Sequence, residues 1–315
     1  MIYRVTRLIF AVFFKLYYKR ITIIGQQNLT NKSTILAVNH PNSLMDALIL
    51  GVVLKQPIYS LARGDAFKKK WAAKILNAYN MLPIYRQSEG VANLQHNANS
   101  FELCQQLLKQ NKTILIFVEG LCENNWQLRP LKKGVARLVQ QAWQTDKTAH
   151  TQIIPVALTY QHFNGAGKSL IINIGNGITK TSLAMQQTSL AIPLNQIIQN
   201  QLQQLMLQYS FLPNTETHKN FINYWFDAEK KYAGIELFNA LKKFNNQTAT
   251  TKSSYNKFAF TIILWPNYLI CKYISKRLTT GTVFFDSVLF MLLVFCLPVY
   301  LLMVWLFVET LIWIL

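Results

Sequence analysis

The sequence predicts an α/β fold, a mainly parallel sheet flanked by helices, with a helical C-terminal extension and membrane-embedded segments. Three observations predict it. Between residues 21 and 174, short apolar runs alternate with stretches of helical periodicity. The 315 residues are enough for a sizeable core even after membrane segments are set aside. Beyond residue 255 the chain changes character and becomes almost uncharged and strongly apolar.

The first stretch, MIYRVTRLIFAVFFKLYYKR, begins basic, but Lys15 interrupts its apolar run and no small-residue cleavage site follows, unlike a secretory leader. At about 100° per residue, Arg4, Arg7, Lys15 and Lys19 fall on one side and Ile2, Val5, Ile9, Val12, Phe13 and Leu16 on the other. Residues 1–20 therefore read as a basic amphipathic helix in a membrane interface. A helix packed on a core shares this periodicity.

Strands are expected at residues 34–38, 58–62, 113–118, 153–159 and 170–174, with helices at 44–54, 69–79, 94–108 and 134–143 between them, so residues 21–193 form the α/β domain. Residues 194–254 read as Gln- and Asn-rich amphipathic helices that end in a polar linker, NNQTATTKSS. Residues 255–315 form a membrane-embedded region. Within it, 258–271 is too short for a span, whereas the uncharged run 288–308 matches a bilayer core of about 30 Å at about 1.5 Å per residue. Pro298 permits a kink or re-entrant hairpin, and Lys272, Lys276 and Arg277 favour a cytoplasmic approach. A buried core helix is the other reading of that run.

Thirty-two Lys and Arg against 13 Asp and Glu give a net charge of +19, beside 51% hydrophobic and 13% aromatic residues. That composition excludes a disordered chain. The positive balance fits nucleic-acid phosphates or anionic headgroups, and the apolar C-terminus together with the lack of a nucleic-acid reader motif favours lipid. Cys104, Cys122, Cys271 and Cys296 are unpaired in spacing, which suggests neither a disulfide framework nor a zinc site.

The segment carrying chemistry is STILAVNHPNSLMDALIL, in which a strand runs into Asn39–His40 and a helix opens near Ser43. His40 thus sits at a strand's carboxyl end, where α/β sheets place their sites. A near-neutral imidazole is suited to general-base work, and Asp46, six positions on, can fold back to hold its tautomer. Ser43–Asp46 also fits a helix capping box, in which Asp46 would serve only the backbone. Arg86, after an apolar stretch, offers a planar fork suited to phosphate, and Lys132 a second charge; both also fit solvated surface cations. Glu119-Gly120 closes the apolar strand at 113–118. Cys122 lies nearby, and a passive thiol is the simpler reading.

Taken together, these residues resemble the glycerolipid acyltransferase family, which includes glycerol-3-phosphate and 1-acylglycerol-3-phosphate acyltransferases. The resemblance spans residues 21–159 in four ordered blocks: NHPNSLMD; RGDAFKK with LPIYR; FVEGLCENNWQLRPLKKG; and IIPVAL. Two departures stand out. Five residues, 41–45, separate His40 from Asp46 where the commonest motif has four, and Val118 and Leu121-Cys122-Glu123 replace the family's usual proline and Thr-Arg-Ser.

The resemblance implies an O-acyltransferase of phospholipid biosynthesis with His40 and Asp46 catalytic. It places Asn39, Arg86, Glu119, Gly120, Arg129 and Lys132 at the substrate, Arg129 and Lys133 being the weaker candidates for the same anionic pocket. Acyl-CoA or acyl carrier protein would be co-substrate and a glycerol phosphate the acceptor, with no further cofactor and no metal. It also implies membrane lipids as partners and a catalytic domain on the cytoplasmic face. The alternatives are an acyltransferase for a non-phosphate membrane-lipid acceptor and a non-catalytic lipid-binding scaffold.

Overall fold

The computed structural model describes residues 2–54, 56–85, 96–186, 193–211, 215–244 and 264–314. Arg86, the linker at 245–254 and the first part of the apolar stretch 258–271 lie outside the described residues.

Among the described residues, seven strands form one sheet in the order β1-β7-β6-β2-β5-β3-β4. They are β1 (Tyr18–Ile24), β2 (Thr34–Val38), β3 (Ile58–Arg63), β4 (Met81–Ile84), β5 (Thr113–Phe117), β6 (Gln152–Tyr160) and β7 (Lys168–Ile174). Strands β6, β2, β5, β3 and β4 run parallel. β7 is antiparallel to β6, and β1 is parallel to β7. The fold is therefore the expected mainly parallel sheet flanked by helices.

The sheet is buried on both faces, which is why β2, β6 and β7 are buried at every position and read as continuous apolar runs. Side chains alternate between two cores. Leu36 and Val38 of β2 point into one, and Ile35 and Ala37 into the other. The first core is covered by α1 (Ile2–Tyr17), α2 (Leu44–Val53) and part of α11 (Phe285–Ile314); the second by α4 (His96–Lys109), α5 (Gly134–Gln144) and α7 (Leu194–Leu205). α3 (Lys70–Ala78) joins β3 to β4, and α6 (Lys180–Gln186) follows β7. A third cluster forms where α8 (Glu216–Lys231) and α9 (Gly234–Lys242) pack Phe221, Trp225, Leu237 and Leu241 against Ile171.

Two strands were not expected. β1 starts at Tyr18, immediately after α1 ends, inside the segment read as helix, and β4 is a four-residue strand containing Pro83. Both are edge strands. Proline is tolerated there because one side of the ladder needs no donor.

α1 is apolar on two faces. Phe10, Phe14 and Tyr17 are buried, and the Phe14 ring stacks on Phe290 of α11 at 4.5 Å. Val5, Leu8, Ile9, Val12 and Leu16 are exposed on the other side. Of the basic residues, Arg7 donates to the carbonyls of Val52 and Leu54, so it caps the carboxyl end of α2. Lys19 pairs with Glu229 at 3.3 Å.

α11 also has two parts. Leu289, Phe290, Leu293, Val294 and Leu297 are buried in the first core, whereas Val299, Leu301, Leu302, Met303, Trp305 and Leu306 are exposed beyond Pro298. By length and composition, Phe285–Leu306 is the one helix among the described residues able to cross a membrane. The preceding α10 (Trp265–Leu278) exposes Leu269, Ile270 and Tyr273 and packs into the first core through Tyr268 and Cys271.

Candidate active site

The carboxyl ends of the parallel strands β2, β5 and β6 meet at one edge of the sheet, and β2 delivers Asn39 and His40 there. Asn39 is buried and clamps β6: its Nδ2 donates to the Leu158 carbonyl at 3.0 Å and its Oδ1 accepts from the Leu158 N–H at 2.7 Å. Its amide thus fixes where β2 ends.

The chain then turns sharply through Pro41–Asn42–Ser43 into α2. Ser43 has φ +53° and ψ −136°, a conformation that L-residues avoid and that surrounding contacts must impose. Its side chain makes no cap hydrogen bond, and its N–H donates to Cys122 Sγ at 2.8 Å. The reciprocal capping box is therefore not formed.

Asp46 instead turns back on the loop. Its Oδ2 accepts from His40 Nδ1 at 2.9 Å and from the Asn42 N–H at 2.7 Å, and its Oδ1 accepts from the Tyr160 hydroxyl at 2.8 Å. A carboxylate receiving three donors requires the proton of neutral His40 to sit on Nδ1, which leaves Nε2 as a lone-pair acceptor. Burial, followed by the neighbouring Asp46, holds the Tyr160 phenol well above its ordinary value, so it remains a donor. The His40 ring stacks on Phe117 with centroids 3.8 Å apart and planes 11° apart. Asp46 is sealed, while the His40 side chain keeps 19% of its surface open.

Glu119 follows β5 and braces the same loop. One carboxylate oxygen accepts the His40 N–H at 2.8 Å and the other accepts Arg129 Nε at 2.8 Å. Arg129 also reaches Glu123 at 3.2 Å and the Leu121 carbonyl. Gly120 has φ +70°, and a Cβ there would lie 2.9 Å from Lys132 Cγ, so only glycine allows the Lys132 stem to cross this turn. Lys132 itself is exposed beside Gly120.

The structure thus brings His40, Asp46, Asn39, Glu119, Gly120, Arg129 and Lys132 to one edge of the sheet. Asn42, Tyr160 and Phe117 join them without having been singled out in the sequence. The ligand atoms of His40, Asp46 and Cys122 lie within 4.8 Å of one another, close enough to share a metal ion. Here the imidazole and carboxylate are bonded to each other and the sulfur accepts an N–H. Burial, with Asp46 next, pushes the Cys122 thiol far up, which makes it a poor nucleophile or metal ligand.

The family comparison falls on the same part of the chain. Residues 20–159 match the family model described as Acyltransferase. Among solved structures, the 1-acyl-sn-glycerophosphate (LPA) acyltransferase PlsC from Thermotoga maritima is similar, at 14% identity and a TM-score of 0.42 over 59% of this chain and 70% of that one. No curated protein matches the sequence. Residues 20–159, which hold the strand, the loop and the imidazole–carboxylate pair just described, match the model of an acyltransferase domain.

Proposed function

We propose that the chain transfers a fatty acyl group from acyl-CoA or acyl carrier protein to a hydroxyl of glycerol-3-phosphate or 1-acylglycerol-3-phosphate, at a membrane surface. The observation that carries this reading is the His40–Asp46 pair, bonded through Nδ1 at 2.9 Å, with the His40 side chain partly open.

In this mechanism His40 Nε2 takes the proton of the acceptor hydroxyl as its oxygen attacks the thioester carbonyl. The tetrahedral adduct collapses, the C–S bond breaks, and the imidazolium returns its proton to the leaving thiolate. Asp46 stabilises the imidazolium without itself taking the proton, as a carboxylate partner does in hydrolytic triads. A positioned base of this kind contributes about 10²–10⁴ in rate. No acyl-enzyme is required, in keeping with the raised pKa of the half-buried Cys122 thiol.

The phosphate reading rests on the family resemblance at Arg86 and on the basic residues of the third block, of which Lys132 is exposed beside the site. A net charge of +19 suits anionic donors, acceptors and headgroups alike. The exposed apolar faces of α1, α10 and the distal part of α11 support membrane association. Lys272, Lys276 and Arg277 on α10 support a cytoplasmic orientation.

Mass spectrometry of products decides the acceptor, with membranes carrying the protein supplied with glycerol-3-phosphate, its 1-acyl derivative and both donor types. Acylation of a phosphate-bearing acceptor is expected; products confined to phosphate-free lipids would overturn the reading. Arg86→Ala should raise the acceptor KM about tenfold to a hundredfold, Arg86→Lys less so, with the donor KM little changed.

A further inference from the structure

We propose that Asp286, in the first turn of α11, is a positioning residue for acyl transfer, holding the His40–Asp46 loop in place through Asn42. The proposal rests on the acyl-transfer reading above. Asp286 lies 244 residues from Asn42 in sequence, just before the apolar run 288–308, and it is fully buried beside the site.

Its carboxylate is saturated by donors from four parts of the chain. Oδ1 accepts from the Tyr17 hydroxyl of α1 and from the Gly165 N–H at 2.8 Å. Oδ2 accepts from Asn42 Nδ2 at 3.0 Å and from the ammonium of Lys168, itself fully buried. Lys168 Nζ and Asn42 Nδ2 both reach the Phe163 carbonyl as well, at 2.7 and 3.2 Å.

Asn42 is the link to the chemistry. Its side chain is held by Asp286, while its own N–H donates to Asp46 Oδ2 at 2.7 Å, the oxygen that also receives His40 Nδ1. Asp286 thereby fixes one of the three donors that orient the catalytic carboxylate, and it does so next to the strained Ser43. A loop in so unfavourable a conformation persists only where its surroundings over-determine it.

Docking of α11 does not by itself need the carboxylate. Phe290, Leu293 and Leu297 bury apolar surface against the first core, and buried ion pairs can often be replaced by apolar residues without loss of stability. The buried charges are explained if they fix the geometry of the loop.

Three full-length variants test this, with thiol release from palmitoyl-CoA followed against glycerol-3-phosphate and 1-acylglycerol-3-phosphate, and with thermal unfolding measured alongside. Asp286→Leu combined with Lys168→Met removes both charges together. It should melt near wild type but show kcat lowered about tenfold or more, with both KM values within about twofold. Asn42→Ala leaves the ion pair and the backbone N–H in place while cutting the link, and should show a similar fall in kcat. Adding Asn42→Ala to the pair should cost little more, because the three residues act as one unit.

Wild-type kcat in Asn42→Ala overturns the proposal whether or not the double variant folds, and so does a stable double variant with wild-type kcat. His40→Ala, assayed in parallel, separates the two claims: if it turns over as wild type does, the acyl-transfer reading fails and this proposal falls with it. If only His40→Ala is slow, the acyl-transfer reading stands and Asp286 is merely structural.

Discussion

Asp46 and Asp286 are both fully buried carboxylates saturated by donors, one in the first turn of α2 and the other in the first turn of α11. They differ in what their donors can do next. One donor of Asp46 is an imidazole whose side chain is partly open to solvent, the arrangement that the proposed general base requires. Each donor of Asp286 is itself enclosed, and Lys168, its cationic partner, has no exposed surface. The contrast teaches that a buried carboxylate acts on chemistry only through a partner with a second, accessible face. A carboxylate without such a partner acts by holding position.

The largest test of that contrast is at the open pair. His40→Ala or Asp46→Ala should lower turnover by at least about 10², with the fold retained in circular dichroism and membrane association unchanged. Asp46→Asn should fall nearly as far, because an amide keeps the shape but cannot stabilise an imidazolium in the same way. Near-normal rates in a folded Asp46→Asn enzyme would remove Asp46 from the mechanism.

A smaller effect is expected one step back. Tyr160→Phe deletes a donor to Asp46 without opening the site, and loss of one hydrogen bond to a charged group predicts a fall of about tenfold in kcat, read from steady-state rates.

The smallest effect concerns stability at the closed pair. His162 sits in the loop that carries Phe163 and Gly165 to Asp286 and Lys168, and burial, with Lys168 next, lowers its imidazole to about 3. An unfolded histidine titrates near about 6.5. As pH falls from there towards about 3, the unfolded chain takes up a proton that the folded one refuses, so this contribution is complete above about 6.5 and is lost on acidification. His162→Gln should flatten the dependence of the melting temperature between pH 7 and pH 5, and an unchanged slope would contradict it.

How much of this was legible follows from sequence separation. The five expected strands and four expected helices of the α/β domain are present to within about two residues at each end, because each is a run longer than the turns that bound it. His40 and Asp46 were legible because one turn of chain brings them together. β1 and β4 were not: the first hides its apolar residues behind Lys19 and Arg20, and the second is short and contains Pro83. Arg7 read as a lipid-facing cation, yet it binds the carbonyls at the end of α2, forty-five and forty-seven residues on. Tyr160, Asn42 and Asp286 carried no local signal at all. Their roles arise from contacts between distant elements, which periodicity and spacing do not encode.

The docking of α11 against the loop after β2 also has a consequence in time. Synthesis proceeds from the N-terminus at about 5–20 residues per second, so the 244 residues between Asn42 and Asp286 take roughly ten to fifty seconds to make. Throughout that interval the His40–Asp46 loop exists without its last support, while the strands around it can already pair. In the nascent chain the loop would thus reach its final geometry only once α11 has emerged and docked, so that maturation of the site and completion of the C-terminal helices become a single event.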